Sequence, residues 1–329
     1  MLRGYSLSCQ VAKQITAALG FCLLAASSEA AAYPDRPIRL LLPFAPGGGA
    51  DAVARVIAPK LHEALGQPWV MDNRGGASGN IAAEIVARAN PDGHTAFLGF
   101  STVLTVNPSL YRLSIDMQKD LVPVAMVTSG QYILVLHPSV KADNLKDFIA
   151  LAKARPGALS YGSGGRGTPL HLAAELFKIR TGTDMTHITY KGGGPASIAV
   201  LAGEVQVLFS SLPPAIPHVK SGRLKALAVT GPGRAAVAPE ISTFAELGLP
   251  GLELASWYGL FVPARTPDKI VKTLHDVVVR TMALPDVREG ISRQGIEVAV
   301  KGPKEFAELI RRETEVWAKV IETAGIKGE

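Results

Sequence analysis

The sequence predicts an α/β protein built as two lobes with a cleft between them. Two observations carry that expectation. Short β-rich runs alternate with helical patterns, as in parallel sheets covered by helices. A junction of strand, glycine-rich turn and helix also occurs four times, twice in each half of the chain.

In the first half, Ile38 to Phe44 is a compact apolar strand. Pro46-Gly47-Gly48-Gly49 turns the chain into a helix whose first free N–H groups Asp51 is suited to cap. Trp69 to Asn73 is a second strand, and Gly75-Gly76-Ala77-Ser78-Gly79-Asn80 leads from it into a second helix. Ala96 to Phe100 is a third strand. The pattern then restarts. Leu159 to Tyr161 leads into Gly162-Ser163-Gly164-Gly165-Arg166-Gly167-Thr168 and a helix through Leu172 and Phe177. His187 to Tyr190 leads into Lys191-Gly192-Gly193-Gly194-Pro195-Ala196 and another helix. Strand-like stretches at Val122 to Leu136 and Leu252 to Val262 are placed to cross between the lobes and back. The rest reads as helical, with apolar stripes at Ile270, Val271, Leu274, Val277 and Val278 and at Phe306, Ile310, Trp317, Val320 and Ile321. The expected division is residues 33–130 and 256–329 in lobe one, carrying the C-terminal helices, and residues 131–255 in lobe two.

Residues 1–32 read as an export leader. Arg3 and Lys13 supply a basic start, Ile15 to Ala26 is an apolar run of about a dozen residues, and Ala30 to Ala32 offer small residues for cleavage before Tyr33. The run falls short of the roughly 20 residues that span a bilayer. Both cysteines, Cys9 and Cys22, lie in this leader, and bulky Phe21 argues against lipidation at Cys22. The mature chain then has no disulfide or thiol chemistry. Losing Arg3, Lys13 and Glu29 changes the formal charge from +6 to +5. That mild excess attracts anions in general, but no Lys/Arg cluster with interleaved aromatics marks a nucleic-acid surface.

Each glycine junction leaves unpaired N–H groups at the positive end of a helix, where an anion is favoured. In open α/β sheets ligands gather at the carboxyl ends of strands. Four such junctions, two per lobe, would line a cleft with backbone donors. Catalytic patterns are scarce. Gly162, Gly164 and Gly167 fit G-x-G-x-x-G with Asp184 downstream, a weak dinucleotide signature in an exported chain. No P-loop and no G-x-S-x-G elbow is present. His62-Glu63 begins like a zinc-protease helix, but Gly66 stands where the second histidine belongs, and the seven histidines lack metal-ligand spacing. No metal or cofactor is expected. His171, early in its helix, is placed either to face a ligand or to cap and pack locally.

At these residues the chain strongly resembles the Bug family of TctC-type periplasmic solute-binding receptors of tripartite tricarboxylate transporters. The match rests on Pro43-Phe44-Ala45-Pro46-Gly47-Gly48-Gly49-Ala50-Asp51 and on Asn73-Arg74-Gly75-Gly76-Ala77-Ser78-Gly79-Asn80 with Pro91-Asp92-Gly93-His94-Thr95. It rests also on Gly162 to Thr168 with His171-Leu172-Ala173-Ala174-Glu175, and on Tyr190-Lys191-Gly192-Gly193. Phe209 to His218 and Ser256-Trp257-Tyr258-Gly259 add to it. The resemblance implies a type II periplasmic-binding fold that closes on a di- or tricarboxylate, acidic amino acid or aromatic acid. It implies contacts from Phe44, Ala45, Gly48, Ser78 and Ser101 of lobe one and from Ser163, Gly164, Thr168, Tyr190 and Ser211 of lobe two. Related sequences often carry an acidic residue near Ser210, whereas Ser210-Ser211 offers only hydroxyls, which favours a plain carboxylate over an amino acid.

The resemblance thus implies a monomeric periplasmic receptor, not an enzyme, that passes its ligand to membrane subunits. Presentation of the ligand to a membrane histidine kinase, and an exported serine hydrolase with a spatially assembled site, are the alternatives.

Overall fold

The computed structural model describes residues 33–44, 46, 49–190, 193–293 and 296–327. The expected leader and its cleavage point lie outside them. The first sheet begins with β1 (Ile38–Leu42), followed by α1 (Gly49–Leu65), β2 (Trp69–Asn73), a 3-10 turn (Ala77–Gly79) and α2 (Asn80–Ala87). Then come β3 (Thr95–Phe100), the short helices α3 (Ser101–Thr105) and α4 (Asn107–Leu110), and the long strand β4 (Leu121–Leu136). The second sheet follows: α5 (Leu145–Ala154), β5 (Ser160–Ser163), α6 (Pro169–Thr181), β6 (Thr186–Thr189), α7 (Gly193–Ala202), β7 (Val207–Ser211), α8 (Leu212–Lys220) and β8 (Lys225–Val229). The chain returns through β9 (Ala255–Pro263) and ends with α9 (Asp268–Ala283), α10 (Pro285–Ser292), β10 (Glu297–Lys301) and α11 (Pro303–Thr323).

The first sheet runs β2-β1-β3-β9-β4-β10 and the second β8-β4-β7-β5-β6. Strand β4 is interior to both. From Leu121 to Gln131 it pairs with β9, ending at Gln131 opposite Ala255, and from Tyr132 to Leu136 it pairs with β7. The sheets are mixed rather than wholly parallel. Strands β1, β2 and β3 run parallel to one another, as do β5, β6 and β7, as crossover helices require, while β4, β8, β9 and β10 enter antiparallel.

Three strands, β7, β8 and β10, occupy stretches read as helical. β7 (Val-Leu-Phe-Ser-Ser) is buried along its first four residues, and such a short apolar run has no distinctive period. β10 is a half-exposed edge strand whose existence depends on β4 beside it.

Both sheets carry helices on both faces. In lobe one, α1, α9 and α10 cover one face around Leu40, Ile57, Leu274 and Ile291. The other face packs α2 and α3 on Leu41 and Phe97. In lobe two, α6 meets β7 through Phe177 and Phe209, and α7 and α8 cover the opposite face around Val200 and Ile216.

α11 corrects the expectation that all the C-terminal helices belong to lobe one. Its first half seats Phe306 and Ile310 against Trp257 and Phe261 of that lobe. Its second half seats Trp317, Val320 and Ile321 in the core of lobe two with Leu172 and Phe177. Twenty-one residues at 1.5 Å per residue reach about 30 Å, enough to touch both bodies.

Between these halves Glu313 accepts a hydrogen bond from Trp257 Nε1 at 2.9 Å. Burial pushes its carboxyl up to about 7, against the opposing pull of that hydrogen bond and of Arg312. The fold therefore retains a proton that the unfolded chain releases, so stability declines as pH rises from about 4.5 through 7. Glu313→Gln should remove that decline and stabilise the protein by roughly 1–2 kcal/mol above neutral pH, with no gain in acid. Urea melts across the range check this; parallel pH profiles for the two proteins would refute it.

Candidate functional site

At the change of partners in β4, Gly130, Gln131 and Tyr132 form the floor of a cavity of about 510 Å³. The volume is ordinary for a small-molecule site. Lobe one contributes Gly49, Phe100, Ser256, Tyr258 and Ile296. Lobe two contributes Gly164, Thr168, Pro169 and Leu170 from one junction, Gly193 from the next, and Ser211, Pro213 and Pro214 from a third.

Four helices therefore start at this cavity. Gly49 opens α1, Pro169 opens α6, Gly193 opens α7, and Ser211 is the N-cap of α8. The starts of α1, α6 and α7 leave N–H groups without an intrahelical partner, while α8, with Pro213 and Pro214 after Leu212, offers at most that of Leu212. Together the four starts favour negative charge in the space between them. Every described residue on the wall is uncharged. Recognition of an anion here thus falls to backbone dipoles and to the hydroxyls of Ser211 and Tyr258, because those of Thr168 and Ser256 donate to the carbonyls of Gly165 and Gly130.

The lobe-two loop after β5 is pinned from within. Thr168 Oγ1 and Ser163 Oγ donate to the carbonyl of Gly165 at 2.7 and 3.1 Å. Gly165 and Gly167 adopt φ of +139° and +72°, conformations in which a Cβ is strained. Pro169 at the first helical position fixes the entry into α6. At the α8 junction, Ser210 is buried and its hydroxyl donates to the carbonyl of Ser211, so of the two serines it is Ser211 that faces the cavity.

On lobe one the wall is aromatic. The rings of Phe100 and Tyr258 lie 5.0 Å apart, and Phe44 meets Phe100 edge-on at 5.9 Å. Burial pushes the Tyr258 phenol up to about 12, so it is a neutral donor at physiological pH. A Cβ on Gly49 would overlap that hydroxyl, so glycine is what lets the ring sit at the start of α1.

Of the ten contact residues expected from sequence, the structure brings Gly164, Thr168 and Ser211 onto the cavity wall. Ala45 and Gly48 lie outside the described residues. Phe44 stands behind Phe100, its carbonyl accepting from Asn73 Nδ2 at 2.9 Å. Ser101 is buried just beyond Phe100. Ser163 is fully buried beneath its loop. Tyr190 packs against Gly162, and its hydroxyl faces Glu204 at 3.5 Å. Ser78 is turned away: its hydroxyl pairs with Tyr111 at 2.8 Å, and its carbonyl accepts from Asn107. Asp51 lies in the first turn of α1, whose start at Gly49 precedes it, rather than at the cap, and it accepts from Arg55.

Sequence reading missed Phe100 and Tyr258 as a wall and Gly130 to Tyr132 as a floor. It also missed α8 as a fourth cavity-facing helix, although Ser211 followed by Pro213 is a helix-start signal.

Two α/β lobes joined through the shared strand β4, with a cavity suited to an anion at the joint, define a solute-binding protein of the periplasmic type. Residues 53–326 match the family described as the tripartite tricarboxylate transporter family receptor, TctC. BugT of Bordetella pertussis is 37% identical over 306 residues, covering 92% of this chain and 94% of BugT. Rpa4515 of R. palustris, solved with adipate, is 34% identical with a TM-score of 0.74, over 90% of this chain and 100% of that one. A TctC solute-binding protein from Polaromonas is 27% identical with a TM-score of 0.81, over 88% and 99% of the two chains. This chain belongs to the TctC-type, or Bug, family of periplasmic solute-binding receptors of tripartite tricarboxylate transporters. It is accordingly a receptor and not a catalyst.

Replacing Gly49 with valine should force Tyr258 off Phe100 and narrow the cavity. The expected result is at least a tenfold weaker affinity for a bound acid, about 1.4 kcal/mol, with a melting temperature within about 3 °C of the parent. Calorimetric titration with parallel melts measures both.

Proposed function

We propose that this receptor captures a small carboxylate between its lobes, outside the inner membrane, and delivers it to the membrane subunits of a tripartite transporter. The convergence of four helix starts on one cavity carries the reading. A carboxylate arriving there exchanges its water shell for charge-assisted bonds from N–H and hydroxyl groups. Because those groups come from both lobes, the bound acid stabilises the closed arrangement relative to the open one. The mature protein begins near Tyr33.

The body of the ligand is proposed to be apolar or aromatic. Phe100, Tyr258, Tyr132, Ile296, Leu170 and three prolines surround the space beyond the helix starts. Flat rings gain both buried area and stacking on such a wall. An ammonium group finds no acidic side chain among the described lining residues, so amino acids are disfavoured. The related Rpa4515, solved with adipate, supports a carboxylate head group.

The hydrolase alternative has one geometric feature in its favour, a 2.7 Å hydrogen bond between Ser163 Oγ and His187 Nε2. Ser163 is fully buried and absent from the cavity wall, so no substrate reaches it.

Thermal melts of the mature chain against benzoate, adipate, succinate, citrate, aspartate and glutamate test the reading. A ligand at a hundred times its Kd adds about 2.7 kcal/mol, a shift of several degrees. Aromatic or long-chain acids should shift the melt most, and tighter binding of aspartate or glutamate would overturn the ligand class. Phe100→Ala should weaken benzoate about tenfold more than it weakens adipate, because only the ring uses that wall.

A further inference from the structure

Behind the lobe-two loop stands a column of three rings that no part of the cavity touches. Tyr161 lies 4.8 Å from His187, and His187 lies 4.1 Å from His171, with interplanar angles of 15° and 24°. Both imidazoles are bonded to the loop. His171 Nδ1 accepts the N–H of Gly167 at 3.0 Å. His187 Nε2 meets Ser163 Oγ at 2.7 Å, and Ser163 Oγ in turn accepts the N–H of Gly165 at 3.2 Å. These bonds reach the two glycines whose positive φ shapes the loop, and that loop puts Gly164 and Thr168 on the cavity wall.

We infer that His171 and His187 are positioning residues for the anion-gripping loop, and that the grip depends on the His171 ring being neutral. The inference rests on the carboxylate reading of the cavity. The first bond requires an unprotonated Nδ1 on His171, since an imidazolium has no acceptor. Protonating both rings would also stack two cations face to face.

The surroundings offer little compensation. Arg166 in the loop and Lys178 on α6 add positive charge, and Glu175 is the one carboxylate acting on both rings. Glu175 already accepts from the Tyr161 hydroxyl and from Lys178, and Lys178 also has Asp184 at 3.9 Å. Burial, reinforced for His187 by the His171 ring, lowers both imidazoles, His187 to about 4. Neutral rings are thus favoured in the fold, and the loop loosens as pH falls below the ordinary imidazole value near 6.5 and His171 takes up a proton.

The test uses ligand-free protein first, by amide hydrogen exchange corrected for the intrinsic pH dependence. Protection at Gly165 and Gly167 should drop about tenfold between neutral pH and pH 4 while β4 keeps its protection. In His171→Gln, whose amide oxygen supplies an acceptor that does not titrate, the drop at Gly167 should be absent. Loop protection that ignores pH in the parent, or that falls equally in His171→Gln, overturns the inference.

Benzoate and adipate titrations at neutral pH then link the loop to binding. His171→Phe keeps the stack but loses the acceptor, and should weaken the bound acid about tenfold where His171→Gln does not. Equal affinity of His171→Phe and the parent overturns the inference. If His171→Phe does not fold, the exchange profiles of the parent and His171→Gln decide it alone. Failure of the parent to bind either acid counts against the proposed function, and the ligand-free exchange result still decides the role of the histidines.

Discussion

A strand's backbone groups can serve only the neighbours beside them, and β4 divides its sixteen residues between two sets of neighbours. Up to Gln131 those neighbours are β9 and β10, and from Tyr132 they are β7 and β8. The two sheets are therefore joined through a continuous backbone, and the change of partners creates the joint. Around it the first sheet presents the carboxyl end of β3, and the second those of β5 and β7. The cavity lies where these ends face one another, and the position of its floor follows from the pairing register alone.

The proposed backbone recognition of an anion has a physical rationale here. A lysine or arginine buried at the joint would repel protons and metal ions and would need its own partner whenever the site stood empty. Helix starts impose no such burden, because their N–H groups are solvated when the cleft is open. The supporting structure is correspondingly polar and close-knit: Asn73 holds the carbonyl of Phe44, Thr168 and Ser163 hold that of Gly165, and Ser210 holds that of Ser211. Of the residues that looked like ligand contacts in the sequence, Ser163 holds its own loop in shape and Ser78 ties its turn to Tyr111.

Legibility followed locality. The glycine junctions at 46–49, 162–168 and 191–194 were visible because a strand, a turn and a helix start are written in consecutive residues, and all three have described residues on the cavity. The junction at 75–80 has the same signature but not the same position. Asn107 ties it to Ser78 and Asn80, away from the wall. Phe100 and Tyr258 became neighbours only through the pairing of β3 with β9, two strands more than 150 residues apart in sequence. No local pattern announces that meeting. β10 escaped for a related reason, as a half-exposed edge strand of five residues has little period of its own.

The division of labour across the cavity has a consequence for how such a receptor can change. Main-chain groups have no genetic alphabet: a point mutation replaces a side chain and leaves the N–H groups of α1, α6 and α7 in place. The proposed head-group grip is therefore inherited almost intact by variants of the apolar wall, where Phe100, Leu170 and Ile296 are free to drift. A lineage built this way can diversify rapidly over the hydrocarbon portion of its cargo and hardly at all over its charge. An engineer who wants a sensor for a new acid can randomise those three wall positions and leave the rest of the molecule alone.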